Sequence, residues 1–519
     1  MVTEPLARWQ DLVVIATNLG VMVVIGMYCA RRTRSADSYF LADRSMPGWV
    51  VGFSIMATTI SSMTFLAIPG ATFKDDWRFV PAMALYVIPV AITYRVFMPF
   101  FRRGHVHTAY EYLERRFGTW ARLYGATAFL FYHVFWTGII LYVVSLAFQR
   151  MIGLDLTYVI CGLGVIVAIY TIVGGLQAVI YTDCLQGFAL IAGGLICTPI
   201  IASMIPGGLS QIFSEAHADG KLAVGSTDFG FDEKTVWVII LSYQFQFLHF
   251  LCTDQSMVQR YLAMKTDREA RRGFLLGTGM SIPAWVYFSF VGTALYVFYR
   301  HFPTDALDGA KPEEVFPYFI LTQIPAGVAG FVLSGMLAAA MSTLDSSINA
   351  SAATVTNDIY RRFRHSGGDQ RHNLLVGRLF SILFSIIMIG VALIIHFMRT
   401  ETLMDVQTLV YPIVTAGLLS LFLLGFMTVR VGSTAALIAT VSAILLVTAW
   451  TVLTTEWGTR TFPAIAGRLP HAFWIGVLPH IFLLSFGYAL SWIVPRRSAA
   501  SLQDLTIWTR VPTEMRGES

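Results

Sequence analysis

The sequence predicts an all-α polytopic membrane protein of about thirteen transmembrane helices. Three observations carry this prediction. The 519 residues are 56% hydrophobic and only 13% charged, a balance unlike that of an ordinary soluble domain. Apolar runs of about twenty residues, the length that crosses ~30 Å of hydrocarbon, recur along the whole chain. Basic residues gather in loops after odd-numbered runs, the pattern of cytoplasmic loops.

Taken in order, the apolar runs fall at about 12–30, 50–72, 80–101, 122–149, 157–174, 178–204, 235–254, 273–299, 327–359, 375–397, 407–428, 431–453 and 473–494. Arg31, Arg32, Arg34 and Arg44 follow the first. Arg102, Arg103, Arg115, Arg116 and Arg122 follow the third. Arg260, Lys265, Arg268, Arg271 and Arg272 follow the seventh. Arg361, Arg362, Arg364 and Arg371 follow the ninth, and Arg496 and Arg497 the last. With thirteen helices all these loops share one side, which places the N-terminus outside and the C-terminus in the cytoplasm of a cell (plasma, or inner) membrane.

The net charge of +5 reflects those loops and not nucleic-acid binding. The five cysteines, Cys29, Cys161, Cys184, Cys197 and Cys252, are odd in number and lie in or beside apolar runs, so no disulfide framework or zinc site is expected. The start, MVTEPLARWQ, is a poor signal peptide, and the first apolar run reads as a retained helix. The tail after Arg497 reads as short and polar.

Four polar patches enter the apolar runs. The first, Met56 to Phe65, sets five hydroxyl side chains within seven residues and carries no charge. If the helix unwinds there, freed carbonyls and hydroxyls offer neutral oxygens to a hard monovalent cation such as sodium. The alternative is that Ser and Thr only let helices pack closely. The second patch runs from Ala338 to Asn349, where Ala339, Ser342 and Thr343 share one helix face. Asp345 and Ser346 follow; an ionisable residue inside a span is costly and usually functional, unless it reaches solvent at the helix end.

The third patch, Tyr170 to Ala178, holds the Gly174-Gly175 pair and leads to Asp183. Asp183 and Asp345 are placed to flank one cation, or one of them carries a proton. The fourth, Tyr243 to Gln255, alternates polar and aromatic residues like a second interrupted helix. The second and seventh runs stand five helices apart, as in two inverted halves that build a midplane site. His133 reads as a packed, hydrogen-bonded histidine. No Walker A sequence, nucleophile–base pair or metal constellation appears, so an enzyme is not expected.

At these residues the chain resembles the solute:sodium symporter family. Tyr39 to Pro47, Tyr170 to Ala178, Cys252-Thr253-Asp254-Gln255 with Val258-Gln259-Arg260, and Asn357 to Tyr360 are similar to family motifs. Ala57 to Phe65 is similar to the bacterial sialic acid branch. The resemblance implies a five-plus-five inverted-repeat, amino-acid-transporter-like fold. An extra helix at 12–30 precedes repeat one (about 50–204) and repeat two (about 235–428). Extra helices at 431–494 and a tail at 495–519 follow. It implies sodium as the coupling ion, at the carbonyls of Ala57, Ile60 and Ala339 and the hydroxyls of Ser342 and Thr343. A second sodium matches Asp183, Asp345 and Ser346, where the compared branch has serine at the position of Asp345.

Thr59, Ser61, Ser62, Thr64 and Phe79 match solute-pocket positions of the sialic acid branch. That branch's carboxylate-binding arginine matches Trp136, and its pocket glutamine matches Met83. Tyr243, Gln246 and Phe247 are expected to face the solute from the seventh run. The implied function is sodium-driven uptake of a small organic solute, a sugar or sugar-acid-like molecule, by alternating access. The partners are sodium, the solute and the lipid bilayer, with no nucleic acid and no obligate protein partner. A membrane sensor or scaffold on the same fold, and a proton-coupled carrier, are the alternatives.

Overall fold

The computed structural model describes residues 8–104, 106–364, 369–398, 417–494 and 502–509, with the side chains of residues 62, 63 and 150 left out. Among the described residues no strand forms, and helices, most of them apolar, account for the architecture. They are α1 (Trp9–Ala30), the broken pair α2 (Gly48–Thr59) and α3 (Ser62–Lys74), and α4 (Val80–Arg103). Then come α5 (Tyr110–Phe117), α6 (Thr119–Ile152) and α7 (Leu156–Met204). A second broken pair, α8 (Val236–Cys252) and α9 (Gln255–Ala263), precedes α10 (Asp267–His301). The rest are α11 (Val328–Thr354), α12 (Gln370–Met398), α13 (Leu418–Met427), α14 (Ser433–Thr454) and α15 (Leu478–Leu490).

By length and composition, eight of these helices can cross a membrane alone, and ten if each broken pair is one span. Two shorter apolar helices, α13 and α15, are also present. The expected run at 407–428 is described only from residue 417, and its earlier part lies outside the described residues. The expected runs at 157–174 and 178–204 meet in α7, which has 49 residues. At ~1.5 Å per residue that is roughly 74 Å, more than two bilayer cores. The helix divides at Gly175, where φ is +62° and ψ is −159°. A methyl group there would stand 2.6 Å from Tyr39 Cδ2 and 2.7 Å from Tyr39 O. Only glycine fits both the left-handed backbone and the contact.

Lipid tails are as apolar as leucine, so apolar burial does little to bring these helices together. Close approach of small residues does more. Gly48 and Gly52 on α2 face Gly273 and Gly277 on α10, four residues apart on each helix. A methyl on Gly52 would lie 2.8 Å from Gly273 O, and one on Gly277 would lie 2.4 Å from Gly52 O. The two backbones therefore touch without intervening side chains.

Helix α11 is the centre of the protein: 89% of its most apolar stretch is buried, against 22% for α1 and for α12. Its run of Ala, Gly and Ser permits this enclosure on every side. Helix α1 is tied to its start. Asp11 Oδ1 accepts from Gly327 N and Gly330 N at 2.8 Å each, placing a carboxylate on the free amides of the α11 N-terminus.

Two expectations change here. Arg260 is not a solvated loop charge, because α9 is wholly buried and Arg260 is 0% exposed. The tail is not simply polar either. Leu502 and Thr506 are buried, Ile507 N donates to Phe426 O at 3.0 Å, and Trp508 Nε1 donates to Met427 O at 2.7 Å. Tyr112 on α5 donates to Leu505 O at 3.1 Å and stacks on Phe426 at 4.3 Å.

Candidate functional site

The first hydroxyl cluster does break its helix. The axis bends by 45° between α2 and α3, and Ile60, between the two, has φ −95° and ψ 85°. Ile60 N donates to Met56 O at 2.8 Å as α2 closes. The Ala57 carbonyl instead meets α11, accepting from Ser342 Oγ at 2.9 Å. Thr343 Oγ1 donates to Ala339 O at 3.3 Å. The structure thus joins Ala57 to Ser342 across the two elements.

The second interruption falls at Thr253 and Asp254, where α8 and α9 bend by 48°. Asp254 caps α9: its Oδ1 accepts from Ser256 N at 2.9 Å and from Ser256 Oγ at 2.5 Å. Its Oδ2 meets His133 Nε2 at 2.8 Å. Asp254 is 3% exposed.

Between the two breaks and α11 lies a cavity of about 170 Å³. From the broken helices and α11 it takes hydroxyls, including Thr59, Ser61, Thr343 and Ser346. The rest of the wall is aromatic, from Tyr132, Trp136, Phe247, Phe250 and Trp285, with His133, His249 and Asp254 among them. Phe247 stacks on Trp285 with 5.2 Å between centroids, and Tyr132 on Trp136 with 6.0 Å. Gln246 supplies an amide. No lysine or arginine side chain lines the cavity among the described residues.

Of the expected pocket residues, Thr59, Ser61, Trp136, Gln246 and Phe247 line this space. Phe79, Met83, Thr64 and Tyr243 do not. Tyr243 backs Phe247 at 5.5 Å, and Phe79 backs Tyr243 at 5.8 Å, so they buttress the wall. Thr64 and Met83 are buried. The side chain of Ser62 lies outside the described residues. Sequence reading missed Tyr132, His249, Phe250, Asp254, Trp285 and the cavity face of His133. Tyr132 stands four residues before Trp136, and Phe250 four after Gln246, a helical spacing that places each pair on one face. Trp285 lies on an apolar helix and carries no such signal.

Asp183, Asp345 and Ser346 form a buried cluster, and the cation within it is Arg260. Arg260 Nη2 lies 2.8 Å from Asp183 Oδ2 and also donates to Ser346 Oγ. Its Nε donates to Ser54 Oγ at 2.9 Å and its Nη1 to Ser256 O at 2.6 Å. Ser54 Oγ also donates to Asp183 Oδ2 at 2.6 Å. Asp345 does not reach solvent at a helix end. It is 0% exposed, and Tyr170 donates to its Oδ2 at 2.9 Å.

A further ionic cluster gathers around α5. Arg122 Nε bonds Asp358 Oδ1 at 2.7 Å, and Arg122 Nη1 bonds Glu114 Oε2 at 2.7 Å. Glu114 also takes Arg362 at 2.9 Å. His107 sits 3.5 Å from Asp37 and 3.6 Å from Glu111. Its bond to Asp37, then that to Glu111, raises its pKa to about 9.

A helical membrane protein in which two interrupted helices and one enclosed small-residue helix converge on a single cavity is a secondary transporter of the inverted-repeat class. The sodium:solute symporter family model matches residues 39–442, and the chain belongs to that family. It is a sodium-coupled symporter working by alternating access, not an enzyme. A sodium/sialic acid symporter of Aliivibrio fischeri is 29% identical over 427 residues, covering 82% of this chain and 84% of its own. Sodium-coupled monocarboxylate transporter 1 of Xenopus laevis is 30% identical over 443 residues, covering 83% and 70%. The solved structure of a Na⁺-coupled sialic acid symporter, substrate-bound and outward-open, matches with a TM-score of 0.86 at 27% identity. It covers 95% of this chain and 99% of that one.

Proposed function

We propose that this symporter takes up an uncharged, polyhydroxylated ring solute, a neutral sugar or a close relative, with sodium. The observation that carries this is the cavity lining: five aromatic rings, a set of hydroxyls and one amide, with no lysine or arginine side chain among the described residues. A sugar ring stacks its C–H face on an aromatic and presents its hydroxyls to Thr, Ser and Gln. A sugar acid would bury a carboxylate without the bidentate arginine that such groups favour. The one carboxylate in the lining among the described residues, Asp254, is bonded to Ser256 and His133.

Sodium is assigned to the carbonyls of Ala57, Ile60 and Ala339 and the hydroxyls of Ser342 and Thr343. The Ala57–Ser342 contact supports this, because an ion seated there ties the first break to α11 and holds the two together. At Asp183, Asp345 and Ser346, two carboxylates face one guanidinium, so the charge balance admits one further cation. The N-terminus is assigned to the outside of a cell membrane, because the arginine-rich loops then face the cytoplasm.

The test is thermal stability of the purified protein with neutral sugars, sugar acids, amino acids and monocarboxylates, each in sodium and in potassium. A ligand of the folded state raises the midpoint by mass action. A neutral sugar that does so only in sodium is the expected result. A sodium-dependent response to sugar acids or monocarboxylates alone removes the neutral-solute assignment.

A further inference from the structure

One imidazole on the cavity wall joins three elements. His133, on α6, places Nδ1 2.8 Å from Ser347 Oγ on α11 and Nε2 2.8 Å from Asp254 Oδ2 in the α8–α9 break. The ring is 5% exposed and is held between Phe129 at 4.1 Å and Tyr132 at 5.1 Å. An ionised carboxylate only accepts, so Nε2 carries the proton toward Asp254. In the neutral ring Nδ1 then accepts from the Ser347 hydroxyl. Both ring nitrogens are committed to protein partners, so the ring is a strut rather than a solute ligand.

The positions of its two partners give the strut its meaning. Ser347 lies one helical turn beyond Thr343 and shares its face. Asp254 sets the α8–α9 bend by capping α9, and it lines the cavity with Gln246 and Phe247. The bridge therefore runs from the helix assigned to sodium to the break that faces the solute. We propose that His133 is a positioning residue that transmits sodium occupancy on α11 to the α8–α9 break. Sodium and solute thereby strengthen each other's hold. This rests on the sodium assignment above. When sodium draws α11 toward Ala57, Ser347 moves with it, and the rigid ring carries that displacement to Asp254. Without the ring, the two elements respond independently and the coupling free energy between the sites falls.

The test needs no solute. In a Gln246→Cys protein, alkylation of that residue by N-ethylmaleimide is followed by peptide mass spectrometry in sodium chloride and in potassium chloride. The rate ratio between the salts is expected to be at least about fivefold, the lower end of ordinary coupling. Adding His133→Leu, or separately Ser347→Ala, brings the ratio to within about twofold of unity. In both, sodium still raises the melting temperature, which a merely structural loss would not preserve. Ser347→Ala removes one hydroxyl and guards against misfolding of the leucine variant. A ratio that persists in either folded variant overturns the proposal. So does a parent with no ratio but a clear sodium-dependent melting shift. A parent with no melting shift at all instead removes the sodium assignment.

Discussion

Arg260 Nη2 lies 2.8 Å from Asp183 Oδ2, and neither side chain reaches solvent. A buried pair of this kind contributes little net stability over an apolar pair, yet losing one member leaves an uncompensated charge that costs roughly 3–5 kcal/mol. Arg260→Met should therefore lower the melting temperature sharply. The double variant with Asp183→Asn should recover much of the loss. A double variant as unstable as the single one would show that the pair is not the source of the effect. Arg260→Lys should not substitute, because one ammonium cannot reach Asp183, Ser54 and the Ser256 carbonyl from a planar fork.

Ser342→Ala combined with Thr343→Ala is expected to abolish sodium-dependent uptake and the sodium-dependent melting shift, with expression retained. Ser342 loses its bond to Ala57 O, but a neutral hydroxyl bond of this kind contributes only about 1 kcal/mol, so folding should survive. Normal sodium activation in the double variant would falsify the site assignment.

Gly277→Val tests the contact between α2 and α10. The new side chain meets Gly52 O at 2.4 Å with no room to turn aside. The expected outcome is loss of folded protein or a large fall in melting temperature. Gly279→Ala on the same helix meets nothing within 4 Å and should be silent. Equal losses in both would show that the α2–α10 contact is not the source of the effect, since either substitution raises helix propensity over glycine.

The cluster at His107 gives a pH signature. Its pKa of about 9 exceeds the ~6.5 of an unfolded histidine. The protonated ring therefore stabilises fully below about pH 6.5 and loses that contribution as pH rises through 9. The ring is 36% exposed, so solvent screening limits the effect to about 1 kcal/mol or less. The melting temperature of the parent should fall toward that of His107→Gln between pH 6.5 and 9. Parallel curves over that window would exclude an ionic role for His107.

Much of this was legible because breaking a membrane helix demands visible residues. A hydroxyl cluster without charge, a glycine pair and a polar-aromatic alternation each mark a place where the backbone departs from the helix. All three do so, at Ile60, Gly175 and Thr253-Asp254. The pocket was legible only in part. Residues read beside the breaks, such as Thr59, Ser61 and Gln246, line the cavity. Tyr243 and Phe79 stand behind the wall, a difference that linear spacing cannot express. Arg260 looked like a loop charge because it follows an apolar run, and only the bend into α9 buries it against Asp183. Trp285 lines the cavity from the apolar middle of α10, where nothing in the linear pattern marks it out.

The backbone contact between α2 and α10 has a mechanical consequence. Two helices that touch through Gly52 and Gly277 cannot slide or roll past one another without a carbonyl clash. They are therefore expected to move as a single beam through the transport cycle. Spectroscopic labels on their lipid-facing surfaces should hold one separation through every state. Labels pairing either helix with α6 should report the motion instead.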